Sequence, residues 1–262
     1  RSRKSQCLHW TVLFCAVPSQ HGVCSDSASS PIGSQLRMSR HDELLGRTPK
    51  SFTAPPPTPS MRLTRLAIPE QSQRDMLLDW VAWNLQNEGN KPTWAIMLYS
   101  ETKGTGKSTI AKVLTVLFGE ANKALCNGNK PLTQRFGADS LDRKLVVAEE
   151  VHISSHSTEG NALKDLITNT SVSVERKYQP IVTIPQHSCF VFMTNHKPLW
   201  LEGGERRYYI INMDHDGHSQ GERNEEFYAL AAAVNEQVSN PQFVRDLYQR
   251  LMTRELSPVF DA

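Results

Sequence analysis

Residues 104–109 read GTGKST, and the chemistry open to such a run is to hold phosphate. Glycines let the backbone turn tightly enough to aim successive N–H groups at phosphate oxygens, and a lysine adds positive charge. The usual pattern is Gly, four residues, then Gly-Lys-Ser/Thr. Gly106, Lys107 and Ser108 stand in place, but position 101, where the first Gly would fall, is Glu101. Gly104 and Gly106 still bracket Thr105, so the backbone keeps its freedom where a phosphate would lie. On this reading Gly104, Thr105, Gly106, Lys107, Ser108 and Thr109 take the phosphates of ATP. Lys107 pairs with the β- and γ-phosphates, and Ser108 offers its hydroxyl to Mg²⁺. The plain alternative is a Gly-rich turn.

A phosphate cradle binds nucleotide; hydrolysis also needs a carboxylate for Mg²⁺ and another to polarise water. KLVVAEE (144–150) ends in such a pair, with Glu149 expected to serve the metal and Glu150 the water. Two solvated acids at a strand end are the competing account. Asn195 closes HSCFVFMTN (187–195) with a neutral amide, able to hold the attacking water or the γ-phosphate without adding charge. TNHKP is equally a good turn, and Asn195 taken alone reads as a turn residue.

These residues need elements to position them. TWAIMLYS (93–100) is an apolar run that predicts a buried strand leading into the loop. STIAKVLTVLFG (108–119) puts Ile110, Val113, Leu114 and Leu117 on one helical face, with Gly119 as its stop. Strand, Gly-rich loop and helix is the setting a phosphate site requires. Further strands are expected at 144–150, 187–195 and 206–213, a hairpin over SVSVERKYQPIVTI (171–184), and helices near 161–168, 227–238 and 244–252. Met76, Leu77, Trp80, Val81 and Leu85 predict another helix before the loop, its tryptophans serving the core. Alternating strands and helices predict an α/β fold with a mostly parallel central sheet.

The chain has 262 residues, 39% of them hydrophobic, and a formal charge of +2 that hides an asymmetry. Residues 1–65 carry nine Lys/Arg against three Asp/Glu, a net of +6, and residues 66–262 carry twenty against twenty-four, a net of −4. A nucleic acid partner would therefore be gripped by a local strip of charge. Ser- and Pro-rich composition ending in SFTAPPPTPS marks residues 1–65 as a disordered, low-complexity tail and linker, with the folded domain over 66–262. RSRK followed by QCLHWTVLFCAV has the look of a secretory leader, but the run is too short to span a bilayer. An upstream extension or remnant is the preferred account. Five cysteines without a CxxC pair suggest neither zinc nor a disulfide framework, and reduced thiols in a cytoplasm are expected.

Taken in order, LYSETKGTGKST, KLVVAEE, LKDLIT…VSVERKY, FVFMTN and GERRYYIINM resemble the superfamily 3 helicase domain, and more closely the ATPase domain of phage and plasmid primase–helicase proteins. The similarity runs from about residue 75 to the C-terminus. It implies an AAA+-like P-loop core with a β-hairpin insertion, forming a hexameric ring that hydrolyses ATP between subunits and translocates on single-stranded DNA. Lys107 and Ser108 match the Walker A positions, Glu149 and Glu150 Walker B, and Asn195 the sensor. Arg206 or Arg207 matches the arginine finger that reaches the neighbour's site, Arg206 being preferred. The DNA-contacting hairpin falls on 171–184, where Arg176 and Lys177 would bind phosphates and Tyr178 would stack on a base.

The chain departs from these relatives in two ways. Glu101 replaces the loop's first Gly, and no primase–polymerase or winged DNA-binding module is recognisable. The expectation is either a fragment or a protein that depends on separate priming and origin-binding partners. A non-unwinding ATP switch that loads replication proteins would share every ATPase residue, and an inactive helicase fragment is a further alternative. A small-molecule kinase fits this order of motifs poorly. No membrane role is expected, and a phage-encoded protein would work in the host cytoplasm.

Overall fold

The computed structural model describes residues 59–133, 138–153, 158–175, 178, 180–201, 203–214 and 219–262. Five strands form one parallel sheet: β1 (Ala95–Tyr99), β2 (Lys123–Asn127), β3 (Leu145–Glu149), β6 (Cys189–Thr194) and β7 (Tyr208–Asn212), in the order β2-β3-β6-β1-β7. The separate two-stranded sheet is an antiparallel hairpin, β4 (Ser171–Val174) with β5 (Val182–Pro185). The α/β architecture with a parallel centre and a hairpin is the one expected from the sequence.

The central strands are unbroken apolar runs because both faces of the sheet are covered. Successive side chains point to opposite faces. Ile96, Leu98, Leu145, Val147, Val191, Met193 and Ile211 thus enter one core cluster. Ala95, Met97, Val146, Ala148, Phe190 and Phe192 enter the other. The first face is roofed by α1 (Pro59–Ala67), α2 (Gln71–Gln86), α3 (Lys107–Phe118), α7 (Asn224–Gln237) and α8 (Pro241–Met252). The second is covered by α4 (Lys130–Thr133), α5 (Ala138–Leu141) and α6 (Thr158–Thr168).

Helix α1, strand β2 and the short helices α4 and α5 were not expected. Helix α1 lies partly in the stretch read as linker, yet it buries Leu63 and Ala67 against the first core. Packed structure therefore begins before residue 66; residues 1–58 of the predicted tail lie outside the described residues. Strand β2 was missed because it is a sheet edge with a single buried residue, Cys126, and so lacks the apolar run of its neighbours. Leaving α8, the chain returns to α2 and the start of β1: Arg254 Nε donates to Asp79 Oδ1 at 2.6 Å, Ser257 N donates to Asp79 Oδ2 at 3.2 Å, and Phe260 packs on Trp94. No helix of the described residues is long and apolar enough to cross a membrane.

Candidate functional site

The site is built at the carboxyl ends of the parallel strands, where sheets of this kind leave a crevice. β1 delivers the loop 100–106, and α3 starts immediately after it. Gly104 and Gly106 both hold positive φ, +79° and +93°, a conformation that side-chain-bearing residues rarely adopt. A Cβ on Gly106 would lie 3.1 Å from Phe227 Cζ, so the loop is also seated tightly against α7. Ser100 and Thr105, both buried, share a hydrogen bond of 2.8 Å across the loop.

Lys107 stands at the mouth of this loop, half-buried. Its Nζ donates to Ser100 Oγ, to Asn195 Oδ1 at 2.6 Å and, at 3.5 Å, to Thr105 Oγ1. All three acceptors are neutral, and among the described residues no carboxylate comes within ion-pair reach of Lys107. Burial pulls its pKa down from the ordinary lysine value, and only the more distant charge of Asp214 works the other way. A half-buried ammonium ringed by neutral oxygens is a receptor for an anion.

Asn195 follows β6, the strand lying between β1 and β3, which brings its amide between the loop and the two glutamates. Ala148 pairs with Phe192, so Glu149 and Glu150 emerge at the same edge of the sheet. With strands about 4.8 Å apart, β3 lies about 10 Å from β1. Glu149 is half-buried, whereas Glu150 is exposed and held at φ +53°. A non-glycine residue there carries about 1–2 kcal/mol of strain, which the turn after β3 imposes. Among the described residues no group of three or more His, Cys, Asp or Glu could hold a metal by itself.

Sequence reasoning missed Asp214, the second residue after β7. Its carboxylate accepts from Glu101 N at 2.9 Å and Thr102 N at 3.0 Å, fastening the start of the loop. Burial opposes the charge on Asp214, but those two backbone N–H groups outweigh it and hold its pKa below the usual value. This clamp explains how Glu101 can replace glycine: its backbone is anchored by Asp214 while its exposed side chain turns outward to Lys197 at 2.9 Å and Tyr99 at 2.9 Å. Ser108 is exposed on the first turn of α3, and Thr109 instead lines an apolar groove of about 500 Å³ between α1, α2 and α3.

Arg206 and Arg207 are not beside this loop. They precede β7, which runs parallel to β1 with Ala95 opposite Tyr208 and Tyr99 opposite Asn212. A five-residue strand separates them from the loop, about 16 Å at 3.3 Å per residue. Arg207 is held by Glu205 at 3.0 Å, a carboxylate shared with Lys164 at 3.0 Å. Arg206 is exposed and has no partner among the described residues. Of the DNA-binding candidates, Arg176 and Lys177 lie outside the described residues, and Tyr178 is 93% exposed at the hairpin turn with φ +64°.

Residues 98–207 match the model of a family described as of unknown function, DUF5906. No curated protein matches. Among solved structures, the apo C-terminal region of NrS-1 aligns with a TM-score of 0.61 and 19% identity, over 77% of this chain and 46% of that one. A second NrS-1 structure, of residues 305–718, gives 0.59 and 20% identity over 77% and 45%. A JCV helicase with a bound acetamide compound aligns at only 0.42, with 19% identity over 72% and 57%. The chain thus spans about half the length of the solved NrS-1 region, and at this identity the likeness is one of fold.

Proposed function

We propose that this chain is an ATP-hydrolysing helicase domain that assembles as a ring, a hexamer on the family resemblance, and moves along single-stranded DNA. The observation that carries the reading is Lys107, anchored to Asn195 and Ser100 inside a two-glycine loop and without a carboxylate partner among the described residues. Triphosphate oxygens would replace those neutral acceptors. Mg²⁺, when bound, neutralises charge on the phosphates, and the Ser108 hydroxyl and Glu149 are the groups that would hold it with water. Glu150 orients the attacking water, and Asn195 fixes that water or the γ-phosphate without adding charge. Arg206, one strand length from its own loop and without a partner among the described residues, is suited to a neighbouring subunit's site, where it would stabilise charge on the γ-phosphate. The hairpin carrying Tyr178 is the DNA-gripping element.

ATP turnover, measured with and without single-stranded DNA over a range of protein concentrations, tests this directly. The expected result is turnover that rises with DNA and more than linearly with protein. Lys107→Ala should abolish nucleotide binding, Glu150→Gln should bind without cleaving, and Arg206→Ala should bind without turning over. Tight binding with no turnover under any condition would overturn the helicase reading in favour of a switch.

A further inference from the structure

The chain between β6 and β7 is docked along α6 at two points. Trp200 lies against Gly160, where an added Cβ would come within 3.2 Å of Trp200 Cε3. The same ring packs edge-on against Tyr208, with centroids 5.1 Å apart. One helical turn further on, the Lys164 ammonium reaches Glu205 Oε2 at 3.0 Å. Residues four apart share a helix face, so both contacts lie on one side of α6. Glu205 is the hub of the second contact. Its other oxygen, Oε1, accepts from Arg207 Nη1 at 3.0 Å and from the Arg207 backbone N–H at 3.1 Å. The Glu205 side chain is 7% exposed and that of Lys164 14%, so both carboxylate oxygens are engaged away from solvent. Burial opposes the charge on Glu205, yet the bonds from Lys164 and Arg207 prevail and hold its pKa below the usual value.

Arg206 stands between Glu205 and Arg207, exposed and without a partner among the described residues. Its backbone, by contrast, is fixed on both sides. The Glu205 carboxylate closes the turn 205–207, and Lys164 ties that turn to α6. Arg207 is folded back onto Glu205 with its Nε buried, which leaves Arg206 to project. We propose that Glu205 is a positioning residue that aims Arg206 at the next subunit's nucleotide. The inference rests on the reading of Arg206 above. An arginine acting in trans has to meet a γ-phosphate held by another chain, and a displacement of about 1 Å costs roughly 100-fold in rate. A long side chain on a loose loop spreads over many positions. A turn locked by a buried carboxylate narrows them before the subunits meet. Glu205 acts through the residue beside it and would meet no nucleotide itself.

Complementation between two inactive variants of the full chain tests this. Lys107→Ala loses the receiving lysine but still offers Arg206, and Arg206→Ala still receives but offers nothing. Each alone should be silent in steady-state ATPase with single-stranded DNA. Mixed in equal amounts they should recover about a quarter of the wild-type rate, the share of head-to-tail contacts that join an intact loop to an intact arginine. Glu205→Gln is then added to one chain at a time. In the Lys107→Ala chain, which gives the arginine, it should cut the recovered turnover about ten-fold or more. In the Arg206→Ala chain, which gives none, it should leave that turnover unchanged. Equal loss from both sides in folded chains, or no loss from the giving side, would overturn the proposal. Should Glu205→Gln fail to fold, Lys164→Met takes its place under the same criterion, since it frees the turn from α6 and leaves Glu205 its bonds to Arg207. Absence of recovery in the starting mixture would instead overturn the placement of Arg206 in trans, and this inference with it.

Discussion

Asn195→Ala would separate the binding and turnover roles of the proposed nucleotide site. In the free protein Lys107 Nζ donates to Asn195 Oδ1 at 2.6 Å, a hydrogen bond to a charged group worth about 1.5–3 kcal/mol net. Lys107 is half-buried and keeps Ser100 Oγ, so water can replace part of the loss. The folding cost should therefore fall below that range, about 1 kcal/mol by urea unfolding. Nucleotide binding should hold or tighten, because Lys107 no longer has to leave Asn195 to reach a phosphate. Turnover loses a contact to the water or γ-phosphate, and 1.5–3 kcal/mol in the barrier is roughly 10–150-fold in kcat. Asn195→Asp supplies the contrast. A carboxylate at that distance pairs with Lys107 and neutralises it, so ATP affinity should fall by about ten-fold or more. Fluorescent-nucleotide titration and steady-state ATPase measure the two effects separately. An Ala variant with turnover within two-fold of wild type, or an Asp variant that binds ATP normally, would refute the reasoning.

Other changes test the scaffold. Arg254→Met should destabilise by about 3–5 kcal/mol in urea unfolding, since it leaves the Asp79 carboxylate, 1% exposed, without its charged partner. Gly106→Ala meets both a φ of +93° and a 3.1 Å approach to Phe227, and should cost about 2–4 kcal/mol and abolish nucleotide binding. Asp214→Asn removes a carboxylate whose pKa is lower folded than unfolded. That group contributes stability above the unfolded carboxylate pKa of about 3.9, lost as pH falls through the folded value. The variant should thus show a shallower loss of stability on acidification, read from melting temperature between neutral pH and pH 3.

What the sequence made legible was whatever has a local pattern. The strand–loop–helix over 93–119 could be read because a buried parallel strand is a solid apolar run and a helix shows its face by spacing. Asn195 could be named as a candidate, but its contact with Lys107 depends on β6 lying beside β1, and adjacency in a sheet has no local trace. Asp214 was invisible for the same reason: it reaches Glu101 and Thr102 only because β7 pairs with β1 in register. The buried tie between Asp79 and Arg254 joins residues far apart in the chain, and in sequence both look like surface charges. Helix α1 was hidden by the Pro-rich composition just before it, although Leu63 and Ala67 sit four residues apart on its inward face.

The placement of Lys107 and Arg206 at opposite ends of parallel strands makes the subunit a directional object. In the proposed ring each copy passes its arginine to the next, a head-to-tail contact whose giving and receiving surfaces differ, unlike a two-fold pair, which exchanges both contacts reciprocally. Such heterologous contacts either close on themselves or grow without end. The angle between successive copies then decides between a closed ring and an open filament, and with it whether a strand is encircled or merely flanked.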